Sequence, residues 1–217
     1  MPLVIGHRGA PRAAHENTVD AFRAAAAAGA DMVELDVRCT ADGGLVVHHD
    51  ATLGDGRPIV ELDVAALPSW LPSLDEAFDA CDGMSVNVEI KERDAARGVV
   101  ALIAARALHQ RVIVSSFDFA TIADVKAADA RIPTAWLTFA PVDDVAAKVA
   151  GAGHQAIHPH DATVTPQLVD DAHRHGLAIN VWTVDDVDRM RELASWGVDG
   201  IVTNVPDAAV AALRPTA

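Results

Sequence analysis

Short apolar segments alternate with amphipathic segments eight times along this chain, and this alternation restricts the fold more than any other sequence feature. The amphipathic segments carry helix-capping signals. Asn17 and Thr18 precede a segment that ends at Gly29 and can cap it as a helix, and Ser73 is followed three residues later by Glu76, as in a capping box. Regular alternation of strand and helix is typical of a parallel sheet.

Eight such units in 217 residues predict a closed (β/α)8 barrel, the TIM-barrel architecture, at the small end of its size range. The predicted strands are residues 3–5, 32–37, 85–91, 112–117, 134–138, 156–158, 178–182 and 200–203. Residues 45–49 are expected to form a strand extension or a hairpin arm, and residues 50–72 a very short insertion after the second strand region. We predict one domain over residues 1–217. The alternative is an open doubly wound sheet, but residues 6–9 lack the third glycine of a dinucleotide-binding fingerprint.

Charge and composition disfavour several classes of partner. The formal net charge is −14, which opposes broad electrostatic binding of nucleic acid. No uncharged apolar stretch reaches 18 residues, and the first residues do not resemble a secretory signal, so we expect no stable membrane insertion. Cys39 and Cys81 make no disulfide framework, and we expect a cytoplasmic protein with reduced thiols. No sequence feature predicts an oligomeric state.

Charged residues interrupt predicted strands near their carboxyl ends, where the active sites of (β/α)8 barrels lie. Glu34 and Asp36 are two residues apart, so both project from one face of the second strand. Asn87, Glu89 and Lys91 share one face of the third strand in the same way. Charge buried in a strand has to be paired or bound to a metal, because an isolated buried charge costs several kcal/mol.

A divalent cation would relieve the repulsion among three carboxylates, Glu34, Asp36 and Glu89, that converge on one barrel mouth. All-oxygen ligands favour one hard cation, Mg²⁺ or Ca²⁺, over zinc, and Mn²⁺ is also compatible. The alternative is that these carboxylates face outward or form ion pairs with Arg38 and Lys91.

Acid–base and anion-binding residues lie near the same predicted strand ends. His7 ends the first strand and His49 follows the hairpin arm, and histidine exchanges protons near neutral pH. Arg8 and Lys91 are suited to bind an anionic ester oxygen. Trp182 shares a strand face with Asn180, so we expect it to reach the mouth and form a wall for the substrate.

The chain resembles the glycerophosphodiester phosphodiesterases through short motifs that occur in family order over essentially its whole length. Each motif is weak alone, but the ordered set is specific. The motifs are Gly6-His7-Arg8-Gly9, Glu16-Asn17-Thr18, Val33-Glu34-Leu35-Asp36-Val37, Val47-His48-His49-Asp50, Val88-Glu89-Ile90-Lys91, Ser116-Phe117, Val181-Trp182-Thr183-Val184 and Asp199-Gly200-Ile201-Val202-Thr203-Asn204.

The resemblance implies a metal-dependent barrel enzyme that cleaves a glycerophosphodiester into an alcohol and sn-glycerol 3-phosphate by His/His acid–base catalysis. It implies a small-molecule substrate and a site residue for each role: acid–base catalysis by His7 and His49, metal binding by Glu34, Asp36 and Glu89, and phosphate binding by Arg8 and Lys91. Of the two adjacent histidines, His49 precedes Asp50 and matches the motif better than His48.

The chain departs from the family pattern at two places. His15 stands where the family usually has proline before the Glu-Asn-Thr motif. The segment after Asp50 is shorter than the family's insertion, which helps to cover the substrate, so a bulkier diester would fit a more open mouth.

Other functions remain as alternatives. The first is a phospholipase D-like or other phosphodiesterase on the same barrel that acts on a bulkier diester. The second is a non-catalytic barrel that binds a phosphorylated metabolite. A metal-dependent aldolase or isomerase is a third.

Overall fold

Strand β1 (Leu3–His7) pairs in parallel with both the next barrel strand and the last one, so the sheet closes on itself. This computed structural model describes residues 1–214. The other strands are β2 (Met32–Cys39), β3 (Leu45–Val47), β4 (Ser85–Ile90), β5 (Val112–Ser116), β6 (Thr134–Thr138), β7 (Ala156–Pro159), β8 (Ala178–Val181) and β9 (Gly200–Thr203). Apart from β3, they form the predicted eight-stranded parallel barrel, in the order β1-β2-β4-β5-β6-β7-β8-β9. Residues 215–217 of the predicted single domain lie outside the described residues.

Eight helices surround the barrel in the described part of the chain, as the alternation predicts. They are α1 (Val19–Ala27), α2 (Leu74–Ala80), α3 (Ala96–Ala105), α4 (Phe119–Ala128), α5 (Val145–Gly151), α6 (Pro166–Arg174), α7 (Val187–Trp196) and α8 (Pro206–Leu213). The Thr18 hydroxyl accepts from the Ala21 N–H at the start of α1, and Ser73 and Glu76 form the capping box of α2. Such caps contribute about 1 kcal/mol each, so they define where the helices begin.

The two faces of β2 place the carboxylates inside the barrel. Val33, Leu35 and Val37 belong to the apolar core between the sheet and the helices, and each is fully buried. The alternate residues Glu34 and Asp36 therefore face the barrel interior. A one-residue slip would exchange the two sets, and burying each apolar side chain is worth about 1.5–3 kcal/mol, so packing fixes the register.

Strand β3 is the one antiparallel strand among the described residues. It pairs with the end of β2, with Val47 opposite Val37, and forms the expected hairpin arm. The His48 N–H then donates to the Asp36 carbonyl at 3.0 Å. This hydrogen bond brings the adjacent histidines to the carboxyl end of β2.

The short segment over residues 50–72 packs against itself and the hairpin arm. It contains two 3-10 turns, Ile59–Glu61 and Val64–Ala66. Leu53, Ile59 and Leu71 bury a small apolar cluster with Val46. Among residues 1–214, none of the helices combines the length and apolar character that crossing a membrane requires.

Candidate active site

Three carboxylates from two neighbouring strands converge inside the carboxyl end of the barrel. In the parallel register of β2 and β4, Glu34 lies opposite Asn87 and Asp36 lies opposite Glu89. Each carboxylate of Glu34, Asp36 and Glu89 offers an oxygen within 4.8 Å of the others, and all three side chains are buried. We call these residues the acidic triad.

The acidic triad is electrostatically strained. Burial, with the charges of Asp36 and Glu89, raises the pKa of Glu34 well above its usual range. One oxygen of Glu34, Oε1, has no hydrogen-bond partner, although the other accepts from the Arg8 N–H at 3.0 Å. An unpartnered buried carboxylate oxygen is costly, so this site favours a further positive charge.

Asp36 is the best-supported member of the acidic triad. Burial opposes its ionisation, but Lys91, Arg8 and a hydrogen bond from Asn17 outweigh burial and lower its pKa. The Asn17 amide donates to Asp36 Oδ2 at 2.7 Å, and the Asn17 oxygen accepts from the Asp36 N–H at 3.3 Å. Asn17 therefore orients this carboxylate.

Lys91 and Arg8, the expected phosphate-binding residues, both contact the acidic triad. Lys91 Nζ lies 2.5 Å from Glu89 Oε1 and 3.1 Å from Asp36 Oδ1. Arg8 Nε lies 3.2 Å from Asp36 Oδ2. The alternative of ion pairing thus holds for Lys91, whereas Arg38 pairs with Glu92 outside the triad. Both Lys91 and Arg8 also line the cavity, so each can turn a donor toward an anion there.

His7 and Arg8 are presented by a tight turn over residues 6–9. A Cβ on Gly6 would lie 2.5 Å from the Gly9 carbonyl oxygen, and one on Gly9 would lie 2.6 Å from the Ala21 carbonyl carbon. Arg8 adopts the left-handed region with φ 55°, which is uncommon for a non-glycine residue. The turn aims the Arg8 N–H at Glu34.

His7 is held by a hydrogen-bond chain that begins at Asp185. Asn204 donates to the Asp185 carboxylate through its backbone N–H at 2.8 Å and its side-chain amide at 2.9 Å. The remaining Asn204 oxygen lies 2.8 Å from His7 Nδ1, so Nδ1–H donates and Nε2 is left free, 4.0 Å from Glu34 Oε2. Burial and the Arg8 charge lower the pKa of His7, which favours the neutral ring.

His49 is held through both its ring and its backbone. Its Nδ1 lies 2.8 Å from Asp50 Oδ1, and its carbonyl oxygen accepts from Arg38 Nε at 2.9 Å. Nε2 is therefore the nitrogen that can exchange a proton with a molecule in the cavity.

One cavity of about 220 Å³ joins the predicted site residues except Asp36, which lies beneath it and contacts Arg8 and Lys91. His7, Arg8, Glu34, His49, Glu89 and Lys91 line its polar side, and Phe117, Leu137, Trp182 and Val202 line its apolar side. The indole Nε1 of Trp182 donates to the His158 carbonyl at 2.8 Å, which fixes one wall. The cavity can thus hold an anionic group and a small organic group side by side.

Several aromatic and polar residues do not reach the cavity. Trp136 packs on Phe119 and donates to the Phe117 carbonyl, and Ser116 donates to the Ile90 carbonyl. His48 lies in a neighbouring groove.

Sequence reasoning assigned no role in the site to Asn17, Asn204 and Asp185, and Asn17 was considered only as a helix cap together with Thr18. Asn17 and Asn204 belong to the family motifs quoted above, which is a usable signal. Asp185 carries no such signal, because only the fold brings it to Asn204.

Comparisons with known proteins identify the family of this chain. The model of the glycerophosphoryl diester phosphodiesterase family matches residues 7–208. A glycerophosphodiester phosphodiesterase of Caldanaerobacter subterraneus is 30% identical, with 98% of each chain covered.

Solved structures match the fold over nearly the whole chain. A glycerophosphodiester phosphodiesterase of Agrobacterium tumefaciens has a TM-score of 0.85 at 27% identity, with 96% of this chain and 99% of that chain covered. An Oleispira antarctica phosphodiesterase, solved in complex with the product sn-glycerol-3-phosphate, has a TM-score of 0.88 at 25% identity and covers 98% and 97%. From this family match and from full-length relatives, the chain belongs to the glycerophosphoryl diester phosphodiesterase family of enzymes.

Proposed function

We propose that this chain hydrolyses a glycerophosphodiester to an alcohol and sn-glycerol 3-phosphate, with one divalent cation and with His7 and His49 as acid–base catalysts. The observation that carries the proposal is the arrangement of both histidines beside the buried acidic triad in a single cavity. The family match and the product bound by the Oleispira antarctica relative support the same reaction.

The acidic triad fits a hard divalent cation. All its donors are oxygens, and Glu34 Oε1 is buried without a hydrogen-bond partner. Glu34, Asp36 and Glu89 would hold Mg²⁺ or Ca²⁺, and Mn²⁺ is compatible with the same donors. When bound, the cation would supply Lewis-acid stabilisation of negative charge on the phosphate.

The two histidines divide the proton transfers. His7 keeps its proton on Nδ1 through Asn204, so Nε2 accepts the proton of the attacking hydroxyl. His49, whose Nδ1 faces Asp50, donates a proton from Nε2 to the leaving alkoxide. The attacking hydroxyl belongs either to water or to the glycerol itself, which would form a cyclic phosphate first. Hydrolysis in ¹⁸O-labelled water with a search for the cyclic product distinguishes these routes.

Arg8 and Lys91 bind the phosphate, and the apolar side of the cavity holds the glycerol. Both cationic side chains form ion pairs with the acidic triad, and these ion pairs hold them in position beside the cavity before substrate binds. Trp182 and Phe117 stand edge to face at 5.4 Å and form the wall for the glycerol carbons.

We also propose that the whole chain, residues 1–217, is one barrel domain that acts in the cytoplasm on a small molecule. The net charge of −14 supports a partner other than nucleic acid.

The test measures hydrolysis of glycerophosphocholine by protein treated with EDTA, with glycerol 3-phosphate detected by a coupled dehydrogenase. Release should return with Mg²⁺, Ca²⁺ or Mn²⁺ and should be lost in Glu89→Gln. Glu192→Gln, a glutamate on the outer helix α7, is the control and should keep wild-type activity. Failure to release glycerol 3-phosphate from any glycerophosphodiester with any of the three cations would refute the proposal.

A second candidate is a phosphodiesterase for a bulkier diester. The observation that favours it is the short segment over residues 50–72, beside which lies an open groove of about 810 Å³. This second function would be established if the protein hydrolysed a lysophospholipid or a phosphoinositol diester but did not cleave glycerophosphocholine.

A further inference from the structure

The catalytic cavity is small. Its volume of about 220 Å³ lies below the roughly 300–1,000 Å³ of clefts that enclose drug-sized ligands. A glycerophosphodiester has two alcohol halves joined by one phosphate. With the phosphate beside the histidines and the glycerol against Trp182, the cavity leaves little room for the second alcohol.

A second groove adjoins the cavity along two side-chain pairs. Pro11, His15, Glu16, His48, Asp50 and Trp70 line this groove, and we call it the Trp70 groove. Arg8 lines the cavity, and its Nη1 lies 2.8 Å from Glu16 Oε1 in the groove. His49 lines the cavity, and its Nδ1 lies 2.8 Å from Asp50 Oδ1 in the groove. The Trp70 groove is therefore the space next to a phosphate held between Arg8 and His49.

The indole of Trp70 is the main apolar surface in the Trp70 groove. Its side chain is 51% exposed, which is unusual for a residue of this size. The His15 ring lies 5.6 Å and the His48 ring 6.2 Å from its centroid. These contacts hold the indole in place and leave it accessible to a ligand.

The charge around Trp70 favours a cation. Asp50 presents a side chain that is 73% exposed, and Glu16, which is paired with Arg8, one that is 40% exposed. No lysine or arginine is among the described residues that line the groove itself. An aromatic face next to carboxylates attracts an ammonium group through cation–π and Coulomb interactions.

We propose that the Trp70 groove binds the alcohol half of the substrate and selects an alcohol that carries an ammonium group, with Trp70 as the specificity-determining residue. This rests on the proposed glycerophosphodiester hydrolysis. A quaternary ammonium would contact the indole face, and a primary ammonium would also donate hydrogen bonds to the carboxylates.

The test compares kcat and KM for glycerophosphocholine, glycerophosphoethanolamine and glycerophosphoglycerol, which share the phosphate and one glycerol. Trp70→Ala should raise KM for glycerophosphocholine about 3- to 30-fold, with a smaller or equal rise for glycerophosphoethanolamine, and leave KM for glycerophosphoglycerol nearly unchanged. Trp70→Phe keeps an aromatic face and should restore most of the preference. The matched control is Phe139→Ala, which removes an aromatic that is 67% exposed beside His160 and Trp182, outside the Trp70 groove.

Inhibition by tetramethylammonium gives a second readout, because this ion carries an ammonium group but no phosphodiester. The ion should compete with glycerophosphocholine in the wild type, and Trp70→Ala should weaken this inhibition by a similar factor. Equal KM changes for all three diesters, or a choline-specific change in Phe139→Ala instead, would overturn the inference while hydrolysis itself persists. Absence of hydrolysis of every diester by the wild type would refute the proposed function as well.

Discussion

The Asn204 side-chain oxygen lies 2.8 Å from His7 Nδ1, although 197 residues separate the two in sequence. Asp185 sets this orientation, because its carboxylate accepts from both the backbone and the side-chain amide of Asn204. Burial alone would raise the pKa of Asp185, but hydrogen bonds from Asn204 and Thr203 outweigh it and lower the pKa. The ionised carboxylate therefore leaves the Asn204 oxygen no partner but His7.

Asp185→Asn should lower kcat about 10- to 100-fold and change KM little, because the new amide allows Asn204 to turn over and release His7. Steady-state kinetics with glycerophosphocholine measure the effect. Thr203→Val is the control, since it removes the 3.0 Å hydrogen bond from Thr203 to Asp185 and the 3.1 Å hydrogen bond that Thr203 accepts from the Val205 N–H. It leaves both hydrogen bonds between Asn204 and Asp185 in place and should cost less than a few-fold. Equal losses in the two variants would contradict a positioning role for Asp185.

His7→Ala and His49→Ala should each reduce kcat by about 10²-fold or more, because each removes one proton transfer of the proposed mechanism. Circular dichroism and thermal unfolding verify that the variants fold. His48→Ala, a substitution at the residue adjacent to His49, is the matched control, and its turnover is measured with glycerophosphoglycerol. Near-normal turnover by His7→Ala or His49→Ala would remove that residue from the mechanism.

Glu34→Gln should stabilise the protein in EDTA by about 1–3 kcal/mol, because it removes a buried charge whose Oε1 has no partner. The glutamine oxygen can still accept from the Arg8 N–H. With saturating Mg²⁺ or Ca²⁺ the wild type should instead be more stable than Glu34→Gln, since a ligand that binds only the folded wild type raises its free energy of unfolding. Thermal unfolding with and without cation measures both effects. A wild type that gains nothing from any divalent cation would argue against a metal at the acidic triad.

We expect the buried imidazole of His158 to lower the free energy of unfolding in acid. Burial lowers its pKa to about 3, and its Nε2 accepts from the Asn180 amide at 2.9 Å. Between its ordinary pKa of 6.5 and about 3, the unfolded chain binds a proton that the folded chain does not. The free energy of unfolding therefore falls as pH drops through this window, by up to about 1.4 kcal/mol per pH unit.

Urea unfolding of the wild type and His158→Gln between pH 7 and pH 4 checks this contribution. The wild type should lose more stability than the variant over the same interval, because the variant lacks the titrating imidazole. Parallel pH dependences would show that His158 is protonated in the folded protein.

Gly9→Ala should destabilise the protein by about 1–3 kcal/mol more than Gly43→Ala. Both glycines have positive φ, 91° and 81°, so both alanines carry backbone strain. A Cβ at Gly9 would also overlap the Ala21 backbone at 2.6 Å, whereas none of the described atoms lies within 4 Å of a Cβ at Gly43. Chemical denaturation of the two variants separates the cost of this overlap from the backbone strain that both variants share. Equal losses would mean that the turn can move away from α1.

The architecture follows from local patterns in the sequence. The eight strand and helix segments, the caps at Thr18 and Ser73 and the hairpin arm were all predicted and are confirmed. These features depend on backbone capping and on side-chain periodicity within a few residues, which a single sequence displays directly. The convergence of Glu34, Asp36 and Glu89 was predicted by the same reasoning, because alternate residues on adjacent parallel strands must share a face.

The contacts within the site depend on the closed barrel. Ion pairing of the carboxylates with Lys91 was one of two alternatives that the sequence left open. Sequence spacing does not predict that Asp185 orients Asn204, or that the Trp70 groove adjoins the cavity through Glu16 and Asp50.

The sequence by itself therefore determined the barrel and the residue types at its mouth. Only the tertiary structure decided which of these residues touch. The physical reason is that β1 closes against both β2 and β9, which brings His7 to Asn204, and periodicity carries no information about such long-range pairing.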